Sequence, residues 1–171
     1  METVTEVLFS LGSNLGNRIL NLEKAIQKIN HQIGSVIETS KIYECEPIGF
    51  EAEMNFLNAC IKVETLLSAP DILTSINQIE SALGRVRNNL GTYTSRIIDI
   101  DIIFYGEHLF SSKELTIPHP LFRERKFVLL PLADIDAEWI DPLSQETIMQ
   151  LLEKNHDNSF IKVFENTKII L

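Results

Sequence analysis

Residues 95–106 read SRIIDIDIIFYG, a run of β-forming side chains interrupted by Asp99 and Asp101. Ile97, Ile98, Ile100, Ile102, Ile103 and Phe104 argue for a buried strand. Aspartate, by contrast, is depleted from strands and almost never buried unpaired. Residues two apart on a strand share a face, so both carboxylates point the same way, with Cα atoms ~6.5–7 Å apart. Ile98, Ile100, Ile102 and Phe104 then point the other way, onto covering helices. A sheet with one wet face would account for such alternation by itself. Ile97 and Ile103 share the aspartates' face, however, so that face is not generally polar. Carboxylates on a partly apolar surface repel, and burial favours their protonation unless a cation joins them. A hard, oxygen-seeking ion such as Mg²⁺ suits them. Two such ions ~3.5–4 Å apart are the usual device for in-line phosphoryl chemistry. The pair reads as a metal–nucleotide site.

The arginines point the same way. Of six in the chain, five (Arg85, Arg87, Arg96, Arg123 and Arg125) lie between residues 85 and 125. GRVR (84–87) leaves a helix end, Arg96 begins the aspartate strand, and NNLGTYTS (88–95) lies between them. Guanidinium forks match phosphate oxygens. Arg85 or Arg87 alone would also suit the C-terminal end of a helix. Arginines at both ends of a loop, beside a carboxylate pair, favour a clamp over a nucleotide. GSNLGNR (12–18) lacks the GK[ST] ending of a phosphate-binding loop and is not GxGxxG. It reads as a strand-to-helix turn as readily as a ligand loop. His119, between Pro118 and Pro120, is the one histidine in a suggestive place; a structural or solvated role is equally open.

At 171 residues the chain suits one domain with a real core. Its 15 basic and 24 acidic residues give a net charge of −9. That balance argues against a general nucleic-acid or anionic-membrane binder, so the arginine-rich quarter marks a local anion site. Cys45 and Cys60 form no CxxC and read as reduced thiols of a cytosolic protein. METVTEVLFSLGSN is not a signal peptide, and no segment approaches the ~20 apolar residues of a membrane span. The expectation is a soluble, cytoplasmic protein, with nothing demanding more than a monomer.

Working outward from the aspartate strand, VTEVLFSL reads as a first strand ended by GSNLGNR. Ile19, Leu22, Ile26 and Ile29 then recur at helical spacing, with Asn14 or Asn17 as N-cap and Gly34 as terminator. SVIETSKIYE is a second strand, CEPIGFEAEMN a loop, and FLNACIKVET a third strand. APDILTSINQIESALG is a second helix, with Ile72, Ile76, Ile79 and Leu83 inward and Gly84 at its end. The order is β-α-β-β-α-β, the ferredoxin-like α+β arrangement, with helices on one sheet face and the other left for a site. FVLLPLADI and SQETIMQLLEKN read as additional C-terminal helices, and SFIKVFENTKIIL as a terminal strand or hairpin.

LGSNLGNR, FLNA, GRVR, SRIIDIDIIFYG, IPHP and RERKFVLLPL occur in this order. Together they resemble the 6-hydroxymethyl-7,8-dihydropterin pyrophosphokinases of folate biosynthesis, over about residues 4–154, with 155–171 as a C-terminal extension. R-x-x-D-x-D is the most distinctive block. The resemblance implies Mg²⁺-dependent transfer of pyrophosphate from ATP to the pterin hydroxymethyl group, releasing AMP. Asp99 and Asp101 would hold two Mg²⁺ ions, and Arg85 and Arg96 would close on the phosphates. Glu80, Arg87, Ile102, Thr116, His119 and Arg125 fall at positions resembling the nucleotide site. Phe56 and Phe127 match the rings that stack on the pterin, Asn58 the amide that reads its polar edge, and Cys45 and Ile48 the backbone beside it. From the residues alone, Ile48, Phe56 and Phe127 read as core. The chain departs from the family pattern at Tyr93, near the usual lid tryptophan, and at Glu46 and Pro120.

Two other functions fit the same order of elements. A two-metal nucleotidyltransferase or cyclase would release pyrophosphate instead of AMP. A non-enzymatic ligand-sensing module would need neither the aspartate pair nor the clamp. An RNA-binding version is disfavoured by the charge and by the absence of an RNP1-like aromatic run in the third strand.

Overall fold

The computed structural model describes residues 3–86, 92–165 and 169. Strands β1 (Thr5–Ser13), β2 (Ser35–Thr39), β3 (Ile42–Cys45), β4 (Phe56–Thr65), β5 (Asp99–Tyr105) and β8 (Ile161–Glu165) form one sheet. Its order is β5-β1-β4-β3-β8, with β2 also on β4, and every pairing is antiparallel. Strand β4 lies between β1 and β2, and β1 lies between β4 and β5. Helices α1 (Arg18–Gln32) and α2 (Ala69–Ala82) connect these split pairs, giving the expected ferredoxin-like topology. A short hairpin, β6 (Phe110–Ser111) with β7 (Thr116–Ile117), follows β5. Among the described residues no helix is long and apolar enough to cross a membrane.

The apolar spacings place α1 and α2 on one sheet face. Leu22, Ile26 and Ile29 of α1 and Ile72, Ile76 and Ile79 of α2 bury against Val7, Phe9, Leu11, Leu57, Ile61, Ile100 and Ile102. Asn17, not Asn14, caps α1, its Oδ1 accepting from the Leu20 N–H at 3.1 Å. Gly84 ends α2 at φ +93°. There the Arg85 N–H reaches the Glu80 carbonyl and the Gly84 N–H the Ser81 carbonyl, a Schellman turn.

The opposite face is only half open, which corrects the expectation of a free face. Helices α3 (Lys126–Asp136) and α4 (Ile148–Lys154) cover part of it, with Val128, Leu129, Leu132, Ile148 and Leu151 around Leu8, Cys60, Ile103, Phe104 and Phe122. Phe104 meets Phe122 edge to face at 4.9 Å between ring centroids.

Three strand readings change. Strand β1 runs on to Ser13, so Gly12 lies inside the sheet. The second strand breaks at Ser40, whose Oγ accepts from the Cys60 N–H at 2.8 Å. The hydroxyl takes a ladder donor, and β2 and β3 become separate. Finally, β5 pairs Phe104 with Leu8 but Ile102 with Phe9, so Ile103 is an extra, bulged residue. Phe104 is therefore on the aspartates' face, contrary to simple alternation.

Candidate active site

The uncovered end of the α3 face is floored by Ser10 and Gly12 of β1, Phe56 and Asn58 of β4, and Asp99 and Asp101 of β5. The register explains the grouping: Gly12 pairs with both Asp99 and Asn58, and Ser10 with Asp101. Gly12 keeps this floor low. A Cβ there would lie 3.0 Å from Asn58 Oδ1 and 3.6 Å from Phe56 Cδ1. Phe50, Phe127, Leu121, Ile48 and Arg125 stand around the floor and enclose a cavity of about 470 Å³. Phe50 meets Phe56 edge to face. Asn58 Nδ2 donates to Cys45 Sγ at 2.9 Å, which fixes its amide, and burial pushes the Cys45 thiol up to about 12. The cavity offers flat apolar walls and a few fixed polar groups, the character of a small-heterocycle site.

A second cavity of about 630 Å³ lies beside it, bounded by α2 and residues 92–96. Leu73, Ile76, Glu80, Arg85, Val86, Thr94 and Glu114 line it. Tyr93, Arg96, Asp99 and Asp101 line both cavities. The aspartate pair is thus their common wall.

The two carboxylates differ sharply. Asp99 accepts from Arg85 at 2.7 Å and from Arg96 at 2.8 Å. Arg85 is itself seated by the Schellman turn and by Glu80, which is buried and pairs with it through Oε1. The same Oε1 accepts from the Ile100 N–H at 2.9 Å, tying α2 to β5. Arg96 is placed by the buried Asn14, whose Oδ1 accepts from the Arg96 N–H at 2.7 Å. Among the described residues no arginine reaches Asp101 at this range. His119 Nε2 lies 4.0 Å from its Oδ2. Burial, with Asp99 alongside, raises the Asp101 carboxyl to about 7. Burial and Arg125 lower His119 to about 4. Its Nδ1 accepts from the Leu121 N–H at 3.1 Å, leaving Nε2 as the protonated ring nitrogen of the neutral form.

This donor set fits a hard divalent ion. Two carboxylates share the wall between the cavities, and among the described residues only Asp99 is paired directly with arginine. Among the described residues no group of three or more His, Cys, Asp or Glu gathers to make a closed metal cage. Mg²⁺ is ordinarily held by one or two carboxylates plus waters and phosphate oxygens.

The structure gathers most of the candidate residues. Cys45, Ile48, Phe56, Asn58 and Phe127 line the first cavity, and Arg85 and Glu80 the second. Arg125 lies in the first cavity instead of the second. It stacks over Phe127 at 5.7 Å and donates to Tyr93 Oη at 3.3 Å. Ile102 is packed in the helix-side core, Thr116 is exposed in β7, and neither lines either cavity. Arg87 lies outside the described residues. Sequence reasoning passed over Phe50, Leu121 and Asp157, which line the first cavity, and weighed Gly12, which also lines it, only as part of a turn or ligand loop.

The chain is similar to known proteins over most of its length. The profile of 7,8-dihydro-6-hydroxymethylpterin-pyrophosphokinase (HPPK) matches residues 8–137. A 2-amino-4-hydroxy-6-hydroxymethyldihydropteridine pyrophosphokinase of Porphyromonas gingivalis is 41% identical over 138 residues, 80% of this chain and 93% of that protein. The enzyme of the same name from Synechocystis is 38% identical, over 84% of this chain and 73% of that one. The chain is also 42% identical to the folic acid synthesis protein fol1 of Pneumocystis carinii, over 88% of its own length but only 20% of the fungal protein's. A crystal structure of Plasmodium falciparum HPPK-DHPS superposes with a TM-score of 0.74 at 18% identity, covering 90% of this chain and 44% of that one, and so shares the fold. By the span of the profile match and the identity to the single-length bacterial enzymes, the chain belongs to the 7,8-dihydro-6-hydroxymethylpterin-pyrophosphokinase family.

Proposed function

We infer that this chain transfers the pyrophosphate group of ATP to the hydroxymethyl oxygen of 6-hydroxymethyl-7,8-dihydropterin, releasing AMP, a step of folate biosynthesis. The observation that carries the reading is the common wall. Asp99 and Asp101 face both an aromatic cavity of heterocycle size and an arginine-bordered one. The pterin would enter the first, its ring against Phe56 and Phe127, its polar edge at Asn58, with the backbone of Cys45 and Ile48 alongside. ATP would enter the second, its phosphates towards the aspartates.

Asp99 and Asp101 would hold two Mg²⁺ ions, which when bound neutralise triphosphate charge and favour attack at phosphorus. The pterin hydroxyl would give up its proton to solvent as its oxygen bonds to the β-phosphorus, while that atom's bond to the oxygen bridging it to the α-phosphorus breaks. The bonding pair stays on AMP. Arg85 and Arg96, now paired with Asp99, would turn to phosphate oxygens, where fixed donors count most as charge redistributes. Glu80 and Asn14 keep them within reach. His119, Arg125, Thr116, Ile102 and Arg87 complete the ATP-side candidates; of the first four, Arg125 and His119 stand beside the pair. Tyr93 lines both cavities, with the Arg96 guanidinium 5.8 Å from its ring, and would act as a lid over them.

The reading extends to a cytoplasmic monomer acting on small molecules, without nucleic acid. The net charge of −9 and the two free, buried cysteines support it. Family membership gives no support to the nucleotidyltransferase and sensing alternatives. The test is to incubate the chain with ATP, Mg²⁺ and reduced hydroxymethylpterin and to measure nucleotide products. AMP formed only when pterin is present is the expected result. Pyrophosphate in its place, or no pterin dependence, would overturn the reading.

A further inference from the structure

Helix α3 carries Phe127 in its first turn, and Arg125 immediately precedes it. Both line the first cavity. The first N–H groups of a helix have no partner within it. They are ordinarily satisfied by a side chain at the N-cap, and here that residue is Arg125, which makes no such bond. The missing acceptor comes from the other end of the chain. Asp157 Oδ2 accepts from the Lys126 N–H at 3.1 Å. Asp157 is in turn locked from both sides: its Oδ1 accepts from the Ser159 N–H at 2.9 Å, and its own N–H donates to Asn155 Oδ1 at 2.8 Å. Asn155 Nδ2 meanwhile holds the Arg123 carbonyl at 3.0 Å. Downstream, β8 pairs with β3 and anchors this tail in the sheet. The Asp157 carboxyl is held below its usual range by hydrogen bonds to Ser159 and Lys126, which outweigh its burial, so it faces the helix end as an anion. It also lines the cavity itself.

We propose that Asp157 is a positioning residue for the pterin cavity, capping α3 from the C-terminal tail and so setting Arg125 and Phe127 against the substrate ring. The tail beyond residue 154 is then a working wall of the substrate site, although the family profile ends at residue 137. The proposal rests on the assignment of the first cavity to the pterin.

The test compares wild type, Asp157→Ala and Asp157→Asn. The Asn variant keeps one acceptor oxygen and loses the charge. In Asp157→Ala we expect the KM for the pterin to rise about fivefold, the factor that goes with loss of one helix cap. The kcat and the KM for ATP should stay within about twofold, and Asp157→Asn should recover a good part of the loss. Amide exchange at Lys126 gives a readout independent of turnover. It should speed up in the Ala variant and partly recover in the Asn variant. If pterin is not a substrate at all, the exchange result alone decides whether Asp157 fixes the helix start. Unchanged exchange at Lys126, or a fall in kcat and a rise in both KM values together, would overturn the proposal.

Discussion

The two cavities that meet at Asp99 and Asp101 are built from different materials. The first rests on paired strands and the start of α3, and its walls are aromatic. The second lies against α2 and residues 92–96, and its character comes from charged side chains held by other side chains. Glu80 and Asn14 seat the arginines there, much as Asp157 and Cys45 steady Phe127 and Asn58 on the other side. A planar heterocycle is selected by shape, so its site belongs on rigid elements. A polyphosphate is selected by charge, so its site can be made of long side chains that exchange partners. Only the wall between them must serve both.

Breaking the wall should have the largest effect. Asp101→Asn is expected to lower AMP formation by about a thousandfold or more, since a metal-held charge contributes several kcal/mol to the transition state. The circular dichroism spectrum should be unchanged. Near-normal turnover would show that this carboxylate is not the metal ligand. Next comes the charged side. Arg96→Ala should cost about a hundredfold in kcat, as loss of a preorganised donor does. A change confined to KM would point to ground-state binding instead. On the aromatic side, Phe127→Ala should raise the KM for the pterin about tenfold, in line with the worth of a stacking ring, and leave that for ATP alone. Equal shifts for both substrates would dissolve the distinction between the cavities. The smallest effect is expected at the floor. Gly12→Ala puts a methyl 3.0 Å from Asn58 Oδ1, so the amide must give slightly, and pterin binding should weaken several-fold. Binding isotherms with each substrate alone would show whether the loss is confined to the pterin.

The order of elements was legible because apolar spacing changes cleanly between period 2 and period 3.6, and because Gly84 marks a helix end by its backbone. The aspartate pair was legible for a related reason, as charges that alternation alone does not need. What escaped were choices made by partners distant in sequence. Nothing in SVIETSKIYE announces that the Ser40 hydroxyl will take the Cys60 N–H and split the strand. Nothing in the tail marks Asp157 as a cap for a helix some thirty positions earlier. Phe50 and Leu121 sit in irregular segments with no period to read. Arg125 was associated with the nucleotide by its resemblance, and its place over Phe127 follows only from where α3 begins.

Ile103 carries a further consequence. Strand β5 has one residue more than its ladder with β1 uses, because Phe104 and Ile102 already face consecutive partners, Leu8 and Phe9. Removing Ile103 would therefore leave the pairing of Asp99, Asp101 and Phe104 formally intact. What would go is its carbonyl, which accepts from the His119 N–H at 3.0 Å, together with its side chain in the apolar cluster under α3 and α4. The surplus residue works as a peg that fastens the loop bearing His119 to the strand bearing the aspartates. A shortened strand would keep its carboxylates in place and lose its hold on the imidazole.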